Sequence, residues 1–248
     1  MKIVVIGGTG LIGSGVVRRL TEAGHEAVAA APSTGVNTLT GEGLKEVLQD
    51  ANVLVDVSNS PSFADDDVMS FFTTSTGNLT EAAREAGVGH YVALSIIGID
   101  RSPEIGYYRA KVAQESAIRA AGLPHTILRA TQFFEFAGAI ADSSMVDGAV
   151  RLPGVGVQPI AAVDVSTAVA GAAAGDPANG IVEIAGPQSH TLDEWVRRVL
   201  AYRGDRRQVI TDPNALFYGG VPGQTVLLPG PDARLARTSL DEWLAAQH

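Results

Sequence analysis

The chain has 248 residues, 46% of them hydrophobic, and its 27 acidic residues outweigh 18 basic ones for a net charge of −9. The length and apolar fraction suit one large core, and the acidic balance argues against a general nucleic-acid binder or a protein drawn to anionic membranes. No cysteine is present, so disulfides, zinc fingers and thiol catalysis are excluded.

The chain opens with no basic segment followed by an apolar stretch, and no apolar run of about 18 residues lacks charge or glycine breaks. It therefore reads as a soluble cytoplasmic protein without a signal peptide, a membrane span or a nucleic-acid partner.

Lys2-Ile3-Val4-Val5-Ile6 is a β-branched apolar run of the kind that forms a buried parallel strand. Leu11, Ile12, Val16, Val17 and Leu20 share one helical face. Between them lies Gly7-Gly8-Thr9-Gly10-Leu11-Ile12-Gly13. Strand, glycine turn and helix form the context in which glycines let a backbone approach a pyrophosphate and a helix start favours its negative charge. No Gly-Lys-Ser/Thr follows, so this is not a Walker loop.

Strand and helix signals then alternate, which predicts a parallel sheet. The expected strands are 25–31, 52–57, 90–94 and 125–129, and the expected helices 43–48, 65–86 and 107–121. Residues 32–41 read as loop. Further on, a helix at 163–174, a strand at 181–184 and helices at 191–202 and 239–246 are expected. The whole of 1–248 reads as one domain, with about 131–147 and 190–235 contributing a substrate lobe. In such a sheet, ligands lie outside the carboxyl ends of the strands. Val57, Ser58 and Asn59 fall there after the third strand, as does Ser95 after the fourth.

Tyr107 and Lys111 stand four apart on one helix face. A lysine beside a tyrosine favours the phenolate and brings its pKa down from about 10, which suits proton exchange with a carbonyl or alcohol oxygen. The hydroxyl of Ser95 could orient the same oxygen.

Asp65, Asp66 and Asp67 open a helix, where acidic residues interact well with the dipole, so no metal site is read there. The histidines at 25, 90, 125, 190 and 248 lack ligand spacing. Arg197, Arg198, Arg203, Arg206 and Arg207 read as a solvated face.

Together, Gly7–Gly13, Asp56–Ser60, Val92–Ser95, Gly106–Lys111, Arg129–Phe134 and Pro159–Val165 carry a resemblance. The sequence is similar to the atypical short-chain dehydrogenase/reductase superfamily, in its NmrA-like NAD(P)-binding branch. The resemblance implies an α/β, Rossmann-like, doubly wound parallel sheet with a small C-terminal substrate lobe. It also implies a nicotinamide cofactor and a small-molecule substrate, and it leaves a homo-oligomer open. Ser95, Tyr107 and Lys111 take the family's catalytic places, with Lys111 also reaching the nicotinamide ribose. Thr9, Gly10, Leu11 and Ile12, between Gly7 and Gly13, take the phosphate-loop places.

Ala30-Ala31-Pro32-Ser33-Thr34 has no acidic residue to hold a ribose 2′-hydroxyl. The Ser33 and Thr34 hydroxyls could take a 2′-phosphate, so NADP(H) is favoured over NAD(H). Thr131, Gln132 and Phe133 are expected near the substrate. The leading expectation is a reductase of a small carbonyl, quinone or similar acceptor. The alternatives are an NADP(H)-binding redox sensor without turnover, or a nucleotide-sugar epimerase or dehydratase.

Overall fold

The computed structural model describes residues 1–247; His248 lies outside the described residues. Along the chain run β1 (Lys2–Ile6), α1 (Leu11–Glu22), β2 (Glu26–Ala30), α2 (Leu44–Leu48), β3 (Val53–Asp56), α3 (Asp65–Glu85), β4 (His90–Ile96), α4 (Gly106–Ala120) and β5 (His125–Ala130). There follow α5 (Ala137–Ser143), β6 (Met145–Val146), β7 (Ala149–Leu152), β8 (Gly156–Val157), α6 (Ala162–Ala174), β9 (Gly180–Ala185), β10 (His190–Thr191), α7 (Leu192–Tyr202), β11 (Val209–Thr211), β12 (Arg234–Leu235) and α8 (Leu240–Ala245). Seven strands form one sheet in the order β12-β9-β5-β4-β3-β1-β2. The pairs β1–β2, β1–β3, β3–β4 and β9–β12 are parallel. This is the Rossmann-like α/β fold.

The chain divides into two compact units. The first comprises Met1–Ser95, Gly106–Arg129 and Val165–Val182. Its strands alternate in the way a sheet covered on both faces requires. Val4, Ile6, Leu54, Tyr91, Ala93 and Ile127 share one core with Leu44 and Leu48 of α2, Leu79 and Ala83 of α3 and Ile118 of α4. The alternate residues Ile3, Val5, Val53 and Val55 are buried on the other face. Near α1, Ser166 of α6 donates to the Ile12 carbonyl at 3.1 Å, and a Cβ on Gly15 would stand 2.6 Å from the Ser166 hydroxyl oxygen.

The second unit comprises Ile96–Ile105, Ala130–Asp164 and Glu183–His248. The small sheet β11-β7-β6 and the pair β8–β10 belong to it. Helix α7 buries Leu192, Trp195, Val196, Val199 and Leu200, an amphipathic stripe, and α8 begins with a capping box between Ser239 and Glu242. Arg197, Arg198 and Arg207 pair with Asp193, Asp241 and Asp142. The short strands of this unit and α5 carry too few residues for a periodic pattern, and the sequence reading missed them.

The glycine turn after β1 is set by close backbone contacts. Gly7 has φ +75° and its N–H donates to the Ala30 carbonyl at 2.9 Å. A Cβ on Gly8 would lie 2.7 Å from Ala29 Cα, and one on Gly13 only 2.1 Å from the Gly7 carbonyl oxygen. Alanine ordinarily stabilises a helix interior relative to glycine. Gly13→Ala is therefore expected to reverse that sign, losing about 1–3 kcal/mol through forced displacement of the turn. Gly77→Ala, on α3 where a Cβ meets nothing within 4 Å, should gain about 0.5–1 kcal/mol. Urea denaturation of the two variants checks both signs.

Candidate active site

The first unit gathers a cluster of polar side chains at the C-terminal ends of its strands. Period-two alternation puts Tyr91, Ala93 and Ser95 of β4 on the face covered by α4, together with Arg129 of β5 and Asp56 of β3. On α4, Tyr107, Lys111, Gln114, Glu115 and Ile118 recur at helical spacing. The stripe is apolar at Ile118 and polar before it.

Glu115 and Arg129 form a buried two-pronged ion pair. Arg129 Nε donates to Oε1 and its terminal NH2 to Oε2, each at 2.8 Å. Ser95 Oγ donates to the same Glu115 Oε1 at 2.6 Å. The sequence places Ser95 in a loop after the strand, but β4 continues to Ile96 and Ser95 is only 3% exposed. The reason is alternation: Ser95 falls in phase with Tyr91 and Ala93, facing α4.

Asp56 is likewise buried, and every hydrogen bond it makes is accepted. Its Oδ1 takes the Ser58 N–H at 3.0 Å and the Ser58 hydroxyl at 2.6 Å. Its Oδ2 takes Gln114 Nε2 at 3.0 Å and the Tyr91 hydroxyl at 3.3 Å. Burial pushes the Tyr91 phenol well above its ordinary range, and the Asp56 charge adds to the shift, so Tyr91 remains a donor.

Lys111 is 3% exposed. Its ammonium donates to the Leu94 carbonyl at 2.9 Å and to Gln114 Oε1, and it lies 4.5 Å from the centre of the Phe72 ring. Burial brings its pKa down to about 8, against the opposing pull of the Asp56 and Glu115 carboxylates. Tyr107 meets the same Phe72 ring edge-on at 5.9 Å and also touches Phe63. Its hydroxyl donates to Asn59 Oδ1 at 2.6 Å. The Ser60 N–H donates to that same oxygen, which fixes the amide's orientation. At the start of the helix, Asp65 pairs with Arg109 and crowds Gly106. Asp67 accepts from the Ser62 hydroxyl at 2.6 Å. Among the described residues, no group of three or more candidate side chains could hold a metal ion.

A dinucleotide fits the glycine turn. Thr9, Gly10 and Leu11 are exposed, α1 has no acidic residue in its first turn, and Gly8 and Gly13 leave no room for side chains. Bare backbone N–H groups at an uncompensated helix start are what a pyrophosphate requires. The Thr34 hydroxyl is occupied with closing its own loop, accepting from the Ala31 N–H at 2.9 Å and donating back to the Ala31 carbonyl, whereas Ser33 is exposed. Thr131, Gln132 and Phe133 lie in the second unit; Thr131 and Gln132 are buried, and Phe133 stacks on Phe136 at 5.2 Å.

A family model described as NAD(P)H-binding matches residues 7–170. The chain belongs to this NAD(P)H-binding family. The chain is 28% identical over 209 residues to the (4-alkanoyl-5-oxo-2,5-dihydrofuran-3-yl)methyl phosphate reductase of Streptomyces griseus subsp. griseus, a match covering 77% of this chain and 70% of that one.

Two solved structures share the fold. MoeE5 in complex with UDP-glucose and NAD is 20% identical, with a TM-score of 0.72 over 100% of this chain and 97% of its own. The NADPH-dependent quinone oxidoreductase QOR2 of Escherichia coli, complexed with NADPH, is 20% identical, with a TM-score of 0.66 over 85% of this chain and 77% of its own. No helix among the described residues is long and apolar enough to cross a membrane.

Sequence reading missed Asp56, Tyr91, Gln114, Glu115 and Arg129 as members of the cluster. A signal was present: α4 carries Lys111, Gln114 and Glu115 on the stripe that continues to Ile118, where a core-facing helix ordinarily carries apolar residues. Removing one partner of a buried ion pair leaves the other charge uncompensated. Glu115→Leu should cost about 3–5 kcal/mol in denaturant unfolding, and adding Arg129→Met should recover most of it.

Proposed function

We propose that this protein is an oxidoreductase that uses NADP(H) in preference to NAD(H) to reduce a small carbonyl, quinone or similar acceptor. The observation that carries the reading is the placement of Tyr107 and Lys111 on one face of α4, both against the Phe72 ring, in the unit that holds the glycine turn. Membership of the NAD(P)H-binding family and the likeness to a reductase support it.

In this reading the backbone of Gly7, Thr9, Gly10, Leu11, Ile12 and Gly13 holds the pyrophosphate. Val57, Ser58, Asn59 and Lys111 serve the ribose and nicotinamide side. The bound cofactor supplies the hydride. Tyr107 gives its hydroxyl proton to the acceptor oxygen as that oxygen gains electrons. The cationic Lys111 stabilises the negative charge left on the tyrosine. Ser95, which takes a catalytic place in the resembling family, keeps its hydroxyl on Glu115 and serves the site by holding that buried carboxylate. Thr131, Gln132 and Phe133 are assigned to the acceptor. The preference for NADP(H) rests on the end of β2, where no carboxylate faces a 2′-hydroxyl and Ser33 is exposed.

The test is NADPH oxidation, followed at 340 nm, with a panel of aldehydes, ketones and quinones. Tyr107→Phe should lower kcat by about 10²–10⁴-fold while NADPH binding stays within a few-fold. A variant with full turnover contradicts the assignment, and tight NADPH binding without oxidation of any acceptor supports the sensor instead.

The Lys111 shift also sets a pH dependence. The ammonium is the useful form, so kcat/KM should hold below about pH 8 and fall above it as Lys111 loses its proton. A pH profile of the wild type between 6 and 10 checks the sign.

A further inference from the structure

Gln114 is 1% exposed and lies between two charges. Its Nε2 donates to Asp56 Oδ2 at 3.0 Å, and its Oε1 accepts from the Lys111 ammonium. The orientation is forced. The Asp56 carboxylate already accepts from the Ser58 N–H and hydroxyl and from Tyr91, so it is held as an acceptor. An ammonium can only donate. Turning the amide over would set oxygen against carboxylate and NH2 against ammonium, two repulsive contacts in place of two hydrogen bonds. The carbonyl of Leu94 and the ring of Phe72 then constrain the remaining freedom of the lysine tip.

We propose that Gln114, oriented by the buried Asp56 carboxylate, is the positioning residue that holds Lys111 on the Tyr107 face of α4. The consequence for turnover rests on the reductase reading above; the consequence for the proton affinity of Lys111 does not. The charged and titratable groups around Lys111 are Asp56 from β3, Tyr91 of β4 through Asp56, Glu115 from its own helix, and Arg119 of α4 and Arg129 of β5 through their pairs with Glu115, while Tyr107 shares the Phe72 ring with it. From α3 it meets the uncharged Phe72. Gln114 is a neutral acceptor favouring the charged form of the lysine.

The experiment is a ¹⁵N NMR titration of Lys111 Nζ in the full-length protein. Gln114→Met removes both hydrogen bonds at nearly constant volume. It should lower the Lys111 pKa by about one unit, a tenfold change in its ionisation constant. The double variant Asp56→Asn/Gln114→Glu moves the carboxylate next to the ammonium and should raise that pKa above the wild-type value.

A folded Gln114→Met protein whose Lys111 titrates as in the wild type overturns the proposal. If Gln114→Met does not fold, the double variant decides, and the absence of a rise overturns it. In turnover, the alkaline limb of kcat/KM should move with the Lys111 titration, whereas a merely structural role would lower Tm and leave the limb in place. The predicted NMR shifts in a protein that leaves NADPH unoxidised with every aldehyde, ketone and quinone of the panel would uphold Gln114 and refute the reductase reading.

Discussion

Four charged side chains are buried where α4 meets the sheet: Asp56 and Glu115 against Lys111 and Arg129. Taking any one of these out of water alone is costly, and the arrangement persists because each is hydrogen-bonded and answered by an opposite charge, directly or across one amide. Glu115 holds Arg129 directly, whereas Asp56 reaches Lys111 through the amide of Gln114. The constraint explains why Ser95 and Tyr91 carry hydroxyls at strand positions where the core would otherwise take apolar residues. Each supplies a donor to a carboxylate that cannot reach water.

The same constraint shapes the chemistry assigned to the site. Burial lowers the proton affinity of Lys111 while two nearby carboxylates raise it, and the balance leaves its pKa at about 8. Tyr107, one turn earlier, is less buried and is steered by the tip of β3 through Asn59. A single segment, Asp56 to Asn59, therefore acts on both groups of α4: on the lysine from beneath and on the tyrosine from its hydroxyl end. At the same edge of the sheet, where Gly7 packs against Val57 and Ser58, the glycine turn is held by backbone contacts so close that side chains are excluded, which leaves the start of α1 bare.

The fold was readable because its signals are local. The β-branched run of β1, the glycine turn and the stripe on α1 are each contained in a dozen residues, and the alternating strands and helices follow within a residue or two of their expected bounds. The Tyr107 and Lys111 spacing was readable for the same reason. The partners of Lys111 were not, because Asp56 and Gln114 are 58 residues apart and meet only when β3 and α4 pack. Ser95 shows a finer version of the difficulty. Its identity suggested a hydroxyl offered to a ligand, but one more turn of the strand's alternation carried it inward onto Glu115. In the second unit, two-residue strands such as β8 and β10 depend on pairing partners that no local pattern reveals.

In the proposed reaction a reduced nicotinamide held by this chain gives its hydride to an acceptor beside Tyr107. The most direct measurement uses NADPH deuterated at the transferring C4 position with a carbonyl acceptor, and reads the product by mass spectrometry. The account predicts a product carrying the deuterium on carbon, formed in step with NADPH oxidation. Oxidation of the cofactor with no label in the alcohol formed from the carbonyl acceptor, or no oxidation of bound NADPH by any acceptor, would contradict it.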